Sequence, residues 1–301
     1  MRFATFLAPG SPIERVGVVD GEQVFALAPG VTLLALLDDL AGAGRAALRS
    51  PEDVFDAGDI RFLAPLPVPP SVRDFYAFEA HVRTARATRG LEVDPDWYEL
   101  PVFYFTNPAA VTGPDDDIAV PPGCAELDYE LEVAAVVGRP GADLDPGRAE
   151  GHIAGYTVMN DWSARDLQRR EMRLGLGPAK GKDFATSLGP VLVTPDELEP
   201  HRRDKAFDLV MTASVNGTEW SRGRLSDLYW SFGEMLAHAS RGTALRPGDI
   251  VGSGTCGTGC ILELSAVHGS ARYPWLRPGD RVELVVEGLG TLTNPVVAGR
   301  G

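Results

Sequence analysis

The spacing of acidic residues is the first chemical signal in this chain. Asp128-Tyr129-Glu130-Leu131-Glu132 leads into an apolar run, Val133 to Val137. Residues two apart on a strand project to one face, so Glu130 and Glu132 point the same way. Two adjacent carboxylates repel unless a cation or a shared proton compensates, and taken alone such a pair is more often a solvated strand end. Asp161 follows a second apolar stretch, Ile153 to Met159, at a point where a rigid strand would present it. Its alternative role is to cap the helix that comes next. Three convergent carboxylates with no His or Cys cluster nearby describe a site for one hard divalent cation. Magnesium fits best and calcium or manganese also fit, with open positions for water or substrate.

Cationic and neutral donors follow at short intervals. Arg165 and Gln168 stand three apart on a helix expected over Ser163 to Met172, hence on one face. Lys182, in Gly181-Lys182-Asp183-Phe184-Ala185-Thr186, reads alone as solvated surface; beside a metal site it would stabilise an oxyanion or a substrate carboxylate. His81 falls on a helix expected over Phe78 to Thr88, after Asp74-Phe75-Tyr76. Arg83, Arg86 and Arg89 crowd that helix, as a solvated basic face or as a cationic cover for an anionic substrate. The three cysteines, Cys124, Cys256 and Cys260, suit a reducing cytoplasm better than a disulfide framework. Cys256 and Cys260 lie four apart without a second Cys or His cluster in the sequence, so no zinc site is expected.

The elements that must hold these groups fall into two units. Residues 1–65 read as a small N-terminal α/β unit, with strands at Phe3 to Leu7, Arg15 to Val19 and Gln23 to Leu27 and a hairpin at Asp20-Gly21. A helix over Thr32 to Ala41 follows, and the proline-rich stretch Leu63 to Pro70 stiffens the boundary. Residues 66–301 read as the catalytic unit. Its strands are expected at Tyr129 to Val137, Ile153 to Met159, Asp208 to Val215, Asp249 to Gly252, Cys260 to Val267 and Arg281 to Val286, with a helix over Leu225 to Ala239. Strands do not alternate regularly with helices, so the class is α+β, predominantly β.

Composition limits the partners. The chain has 42 acidic and 28 basic residues, a net charge of −14, which speaks against nucleic acid or an anionic membrane. An anionic small molecule stays possible because it responds to local charge. The start, Met1 to Leu7, meets Pro9-Gly10 too early for a signal peptide, and no apolar run approaches the roughly 20 residues needed to span a bilayer.

Taken together, these stretches resemble the fumarylacetoacetate hydrolase family over about residues 70 to 290. The motifs are Met159-Asn160-Asp161-Trp162-Ser163-Ala164-Arg165-Asp166-Leu167-Gln168, the paired-glutamate segment, Gly181 to Thr186, and Leu245-Arg246-Pro247-Gly248-Asp249 leading to Ser253-Gly254-Thr255. The resemblance implies a mixed β-sheet roll and a homodimer. It implies that Glu130, Glu132 and Asp161 are metal ligands with Asp74 as a fourth, that His81 is the base, and that Glu263 orients it. It assigns oxyanion stabilisation to Arg165, Gln168 and Lys182, and substrate contacts to Tyr76, Tyr104 and Thr255. Thr84 stands where the shorter acylpyruvase-type members tend to carry a glutamate, and the Glu263 position is filled, so the likeness is to the hydrolases proper. The expected activity is metal-dependent hydrolysis of a carbon–carbon bond in a small anionic 1,3-diketo acid. Decarboxylation or tautomerisation of an oxaloacetate-like keto acid is the second expectation, and a non-catalytic small-acid scaffold the third.

Overall fold

Every residue of the strand Leu131–Val137 is buried, and the architecture follows from covering both its faces. Side chains alternate along a strand, so a strand buried throughout needs an apolar layer on each side. Val133, Ala135 and Val137 pack into one cluster with Met211, Ala213 and Leu284; Ala134 and Val136 pack into another with Phe3, Val16, Leu33 and Leu37. Each fully buried valine, leucine, methionine or phenylalanine among them contributes roughly 1.5–3 kcal/mol. The chain is seen here as a computed structural model that describes residues 1–299.

The central sheet has 12 strands. Its main path runs Asp53–Asp56, Gln23–Ala26, Glu14–Asp20, Arg2–Leu7, Thr186–Val193, Ile153–Asp161, Leu131–Val137, Ile250–Gly252, Val72–Phe75 and Phe103–Thr106. The strands before residue 63 therefore extend the same sheet that carries the acidic motifs, through Arg2 against Val193 and Phe3 against Leu192. Most pairings are antiparallel, whereas Ile250–Gly252 runs parallel to Val72–Phe75, so the sheet is mixed. A second sheet of five strands includes the hairpin Val210–Val215 and Thr218–Arg224, turned at Asn216-Gly217 with φ of 52° and 77°, as a two-residue turn of that type requires. Strand residues outnumber helical ones, 34% to 24%, which is the predominantly β α+β class expected. Among the described residues no helix is long and apolar enough to cross a membrane.

Several elements differ from expectation for identifiable reasons. The helix expected over Thr32 to Ala41 is two helices, Leu33–Leu36 and Leu40–Arg49, because the Asp39 carboxylate accepts from the Gly42 N–H and starts a new one. The helix expected from Leu225 begins only at Phe232, where Ser231 and Glu234 form a reciprocal capping box. The segment Cys260 to Val267, expected as a strand, is the helix Ile261–His268. Its first N–H groups, those of Ile261 and Leu262, donate to the buried carboxylate of Asp128 at 2.7 and 3.0 Å, a tertiary cap from 133 and 134 residues away.

The sheet gathers the acidic residues at one end. Leu131 pairs with Asn160 and Glu132 with Met159; on the other side Ala134 pairs with Gly252, which in turn pairs with Asp74, opposite Tyr104. Starts and ends of neighbouring strands meet at that edge.

Candidate active site and metal centre

Asp74, Glu130, Glu132 and Asp161 each bring a carboxylate oxygen within 4.8 Å of the others, and all four are buried. Glu130 precedes the strand by one residue; its N–H is satisfied by the Asn160 side-chain oxygen at 2.9 Å, and its carboxylate joins that of Glu132 in the cluster. Asp161 ends its strand and caps nothing, since the following helix, Arg165–Met172, has Ala164 as its N-cap residue. Asp74 lies against two glycines. A Cβ at Gly252 would fall 2.5 Å from Asp74 Oδ1, and Gly254, at φ +75°, gives that oxygen its N–H at 3.1 Å.

Two cations serve this cluster. Lys182 Nζ donates to Glu130 Oε2 and Asp161 Oδ2, both at 2.5 Å. Gly181 allows the close approach of its loop, because a Cβ there would meet the Gln168 Cα at 2.7 Å. Arg165 donates to Asp128 Oδ2 at 2.8 Å, Glu130 Oε1 at 2.7 Å and Gln168 Oε1 at 3.2 Å. Asp128 is thus a site residue that the motifs did not single out. It holds Arg165 on one oxygen and the Glu263 helix on both, and only its place two residues before Glu130 hinted at this.

Burial raises the carboxyls of Asp74, Glu132 and Asp161 above their ordinary range, and neighbouring carboxylates add to it; at Asp161 the Lys182 ammonium opposes the shift without reversing it. Burial pushes Glu130 the same way, but Lys182 and Arg165 outweigh it and hold that carboxyl below the usual range. Burial also disfavours the charge on Lys182, yet Asp161 and Glu130 prevail and keep its ammonium above its ordinary range. Five buried carboxylates, counting Asp128, face two buried cations. Glu132 Oε2 and Asp161 Oδ1 find no hydrogen-bond partner among the described residues. Excess negative charge, an all-oxygen donor set and two orphaned acceptors fit one hard divalent cation.

Above the cluster is a cavity of about 680 Å³, lined by Asp74, Glu130, Glu132, Lys182 and Gln168 and by His81, Tyr76, Tyr104 and Thr255. His81, on the helix Glu79–Ala87, sets Nδ1 3.2 Å from Glu263 Oε2; both side chains are buried, and the N–H direction is misaligned for a formed hydrogen bond. The Tyr76 ring meets the His81 ring edge-on at 5.3 Å between centroids. Tyr104 donates to Asp161 Oδ2, and Thr255 Oγ1 lies 3.4 Å from Glu132 Oε1. The sequence-predicted residues therefore converge, Glu263 standing behind His81. The three arginines separate: Arg83 pairs with Glu79, Arg86 donates to the Glu92 carbonyl, and Arg89 lines the cavity with no ion pair among the described residues. The cavity wall also includes Phe75, Phe103, Met172, Arg173 and Leu262, which carried no motif signal.

Residues 71–297 match the fumarylacetoacetate hydrolase C-terminal family. An oxaloacetate tautomerase of Bacillus subtilis is 30% identical over 245 residues, 81% of this chain and 75% of its own length. A fumarylacetoacetase of Oryza sativa is 32% identical over 304 residues, 79% of this chain and 70% of its own. The solved fumarylacetoacetate hydrolase of Exiguobacterium antarcticum superposes with a TM-score of 0.78 at 28% identity, covering 99% of each chain. With residues 71–297, three quarters of its length, matching that family, the chain belongs to the fumarylacetoacetate hydrolase family.

Proposed function

We propose that the protein hydrolyses a carbon–carbon bond in a small anionic 1,3-diketo acid, of the fumarylacetoacetate or acylpyruvate type. The observation that carries this reading is the buried His81–Glu263 pair on the same cavity as the four-carboxylate cluster. Hydrolysis needs a base for water; a histidine with an acidic partner behind it is that device.

Asp74, Glu130, Glu132 and Asp161 would hold a divalent cation, magnesium being the first choice for an all-oxygen set, and it would supply Lewis-acid polarisation of the substrate carbonyl. The Glu263 carboxylate, 3.2 Å from Nδ1 though not yet aligned for a hydrogen bond, favours the tautomer with its proton on Nδ1 and leaves Nε2 free to take one from water. The water oxygen bonds to the carbonyl carbon, and Lys182, with the Gln168 amide, donates to the oxygen that becomes negative. Arg165 acts through others: it fixes Glu130 and accommodates the Gln168 oxygen, which leaves the Gln168 NH₂ for the cavity. When the carbon–carbon bond breaks, the departing carbon takes the proton held at Nε2, and the base is restored. Tyr76, Tyr104, Thr255 and Arg89 bound the substrate. The acting unit in this reading is a homodimer, as the resemblance implies, and a reducing cytoplasm suits its three free cysteines.

Tautomerisation is the second reading, favoured by the likeness to an oxaloacetate tautomerase, and it needs proton transfer at carbon without attack by water. A non-catalytic scaffold is disfavoured because every position matched to a ligand or a base is filled. A panel of acylpyruvates, fumarylacetoacetate and oxaloacetate, each incubated with and without Mg²⁺, separates these readings by product. Two organic acids support hydrolysis, pyruvate with carbon dioxide supports decarboxylation, and keto–enol exchange with the skeleton intact supports tautomerisation.

A further inference from the structure

Cys260 has no part in the chemistry above, yet it lies beside the catalytic pair. His81, Cys260 and Glu263 are all buried, and each offers one ligand atom within 4.8 Å of the other two. Cys260 is the N-cap residue of the helix that carries Glu263, three positions on, so the two side chains face the same side. The His81 helix packs against that helix. The sequence could not show this set, because its histidine lies far from the other two along the chain.

Distances and donor types point to a soft metal. Cys260 Sγ lies 3.8 Å from Glu263 Oε2, and His81 Nδ1 lies 3.2 Å from the same oxygen. Tetrahedral zinc, with Zn–S near 2.3 Å and Zn–N or Zn–O near 2.0 Å, sets sulfur and oxygen about 3.5 Å apart and nitrogen and oxygen about 3.3 Å apart. The observed separations depart from that by roughly 0.3 Å or less. A second observation is independent of the cysteine. His81 Nδ1 is buried and has no hydrogen-bond partner among the described residues, a state that ring nitrogens inside proteins ordinarily avoid. Burial, with Asp128 and Glu263 adding to it, holds the Cys260 thiol well above its usual range, so without a metal it remains a thiol and is no nucleophile.

We propose that His81 Nδ1, Cys260 Sγ and the Glu263 carboxylate form a second metal site, selective for Zn²⁺ over Mg²⁺, and that its occupation switches hydrolysis off. On binding, the Cys260 S–H bond breaks, its proton passes to solvent, and a sulfur–zinc bond forms. One thiolate and one carboxylate then cancel the ion's two charges, which suits a buried position. Magnesium does not compete, since it prefers oxygen donors and avoids thiolate. Zinc on Nδ1 fixes the imidazole proton at Nε2, so the ring no longer accepts a proton from water. The loss of activity rests on the His81 role proposed above; the metal site does not.

The test is binding to the Mg²⁺-saturated full-length protein. Zn²⁺ is titrated against a competing chelator, and Co²⁺ serves as a spectroscopic stand-in. The expected result is one ion per chain and a thiolate-to-cobalt charge-transfer band in the near ultraviolet, kept in Cys256→Ser and lost in Cys260→Ser. Zinc affinity in Cys260→Ser should fall by at least the ~10–100-fold that loss of even an outer-shell partner costs. A zinc X-ray absorption spectrum of the parent protein needs no variant and should require one sulfur neighbour near 2.3 Å among nitrogen and oxygen neighbours. A cobalt band that survives in Cys260→Ser, or a zinc spectrum with oxygen and nitrogen neighbours alone, overturns the site. A protein that shows the sulfur signature but cleaves no diketo acid with Mg²⁺ would instead contradict the catalytic reading and leave the zinc site standing.

Discussion

Replacing Glu132 by glutamine should stabilise the protein without metal and destabilise it with metal. Four carboxylate oxygens lie within 4.8 Å of one another, and Lys182 and Arg165 compensate chiefly Glu130 and Asp161. At that separation, with an effective dielectric near 20, one pair of unit charges repels by roughly 3.5 kcal/mol. Protonation lets part of that repulsion escape, as the raised carboxyls of Asp74 and Glu132 indicate, so the net relief in Glu132→Gln is about 1–3 kcal/mol. For a chain of this size 1 kcal/mol shifts Tm by about 2 °C, which places the chelator-treated variant some ~2–6 °C above the parent. Glutamine keeps an oxygen for the Thr255 hydroxyl and can donate to Asp74, so no other contact is lost. With saturating Mg²⁺ the order should invert, because loss of one of four carboxylate ligands, at about 1,000-fold in affinity, removes about 4.1 kcal/mol of linkage, more than the relief. Differential scanning fluorimetry with EDTA and with Mg²⁺ reads both arms. A variant that is less stable than the parent in EDTA refutes the reasoning, since the four acids would then be held by hydrogen bonding and would not require a cation.

Two further outcomes follow from the geometry. Arg89→Ala should raise KM for substrates with a distal carboxylate by roughly tenfold with kcat little changed, as loss of uniform binding does, whereas Arg83→Ala should leave both constants near parental values because Arg83 pairs with Glu79; steady-state kinetics on one diketo acid decides. Asp128→Ala should cost about 3–5 kcal/mol of stability, since it strips the Glu263 helix of its cap and leaves Arg165 buried with one carboxylate fewer, and urea unfolding measures it.

Much of this site could be read from the sequence because its residues sit on strand ends, where local spacing and spatial arrangement coincide. Glu130, Glu132 and Asp161 are examples: a period of two and an apolar run locate each one, and cross-strand register does the rest. What could not be read is decided by contacts remote in sequence. Cys260 to Val267 reads as a strand from its own residues, and the Asp128 carboxylate that caps the first turn of the helix found there is remote in sequence. The choice among Arg83, Arg86 and Arg89 depends on Glu79 and the Glu92 carbonyl taking the first two away from the cavity. The break at Asp39 is local, yet the leucines on either side continue one apolar stripe and conceal it. His81, Cys260 and Glu263 meet only because two helices pack together.

The most direct measurement of the central claim is the rate at which purified protein, saturated with Mg²⁺, removes the ultraviolet absorbance of a diketo acid, comparing the parent with His81→Ala. Expected are two organic acids from the parent, no turnover after chelation, and a rate in His81→Ala lower by roughly 10²–10⁴, the usual contribution of a positioned general base. A His81→Ala variant that cleaves as fast as the parent, or a parent indifferent to chelation, contradicts that claim.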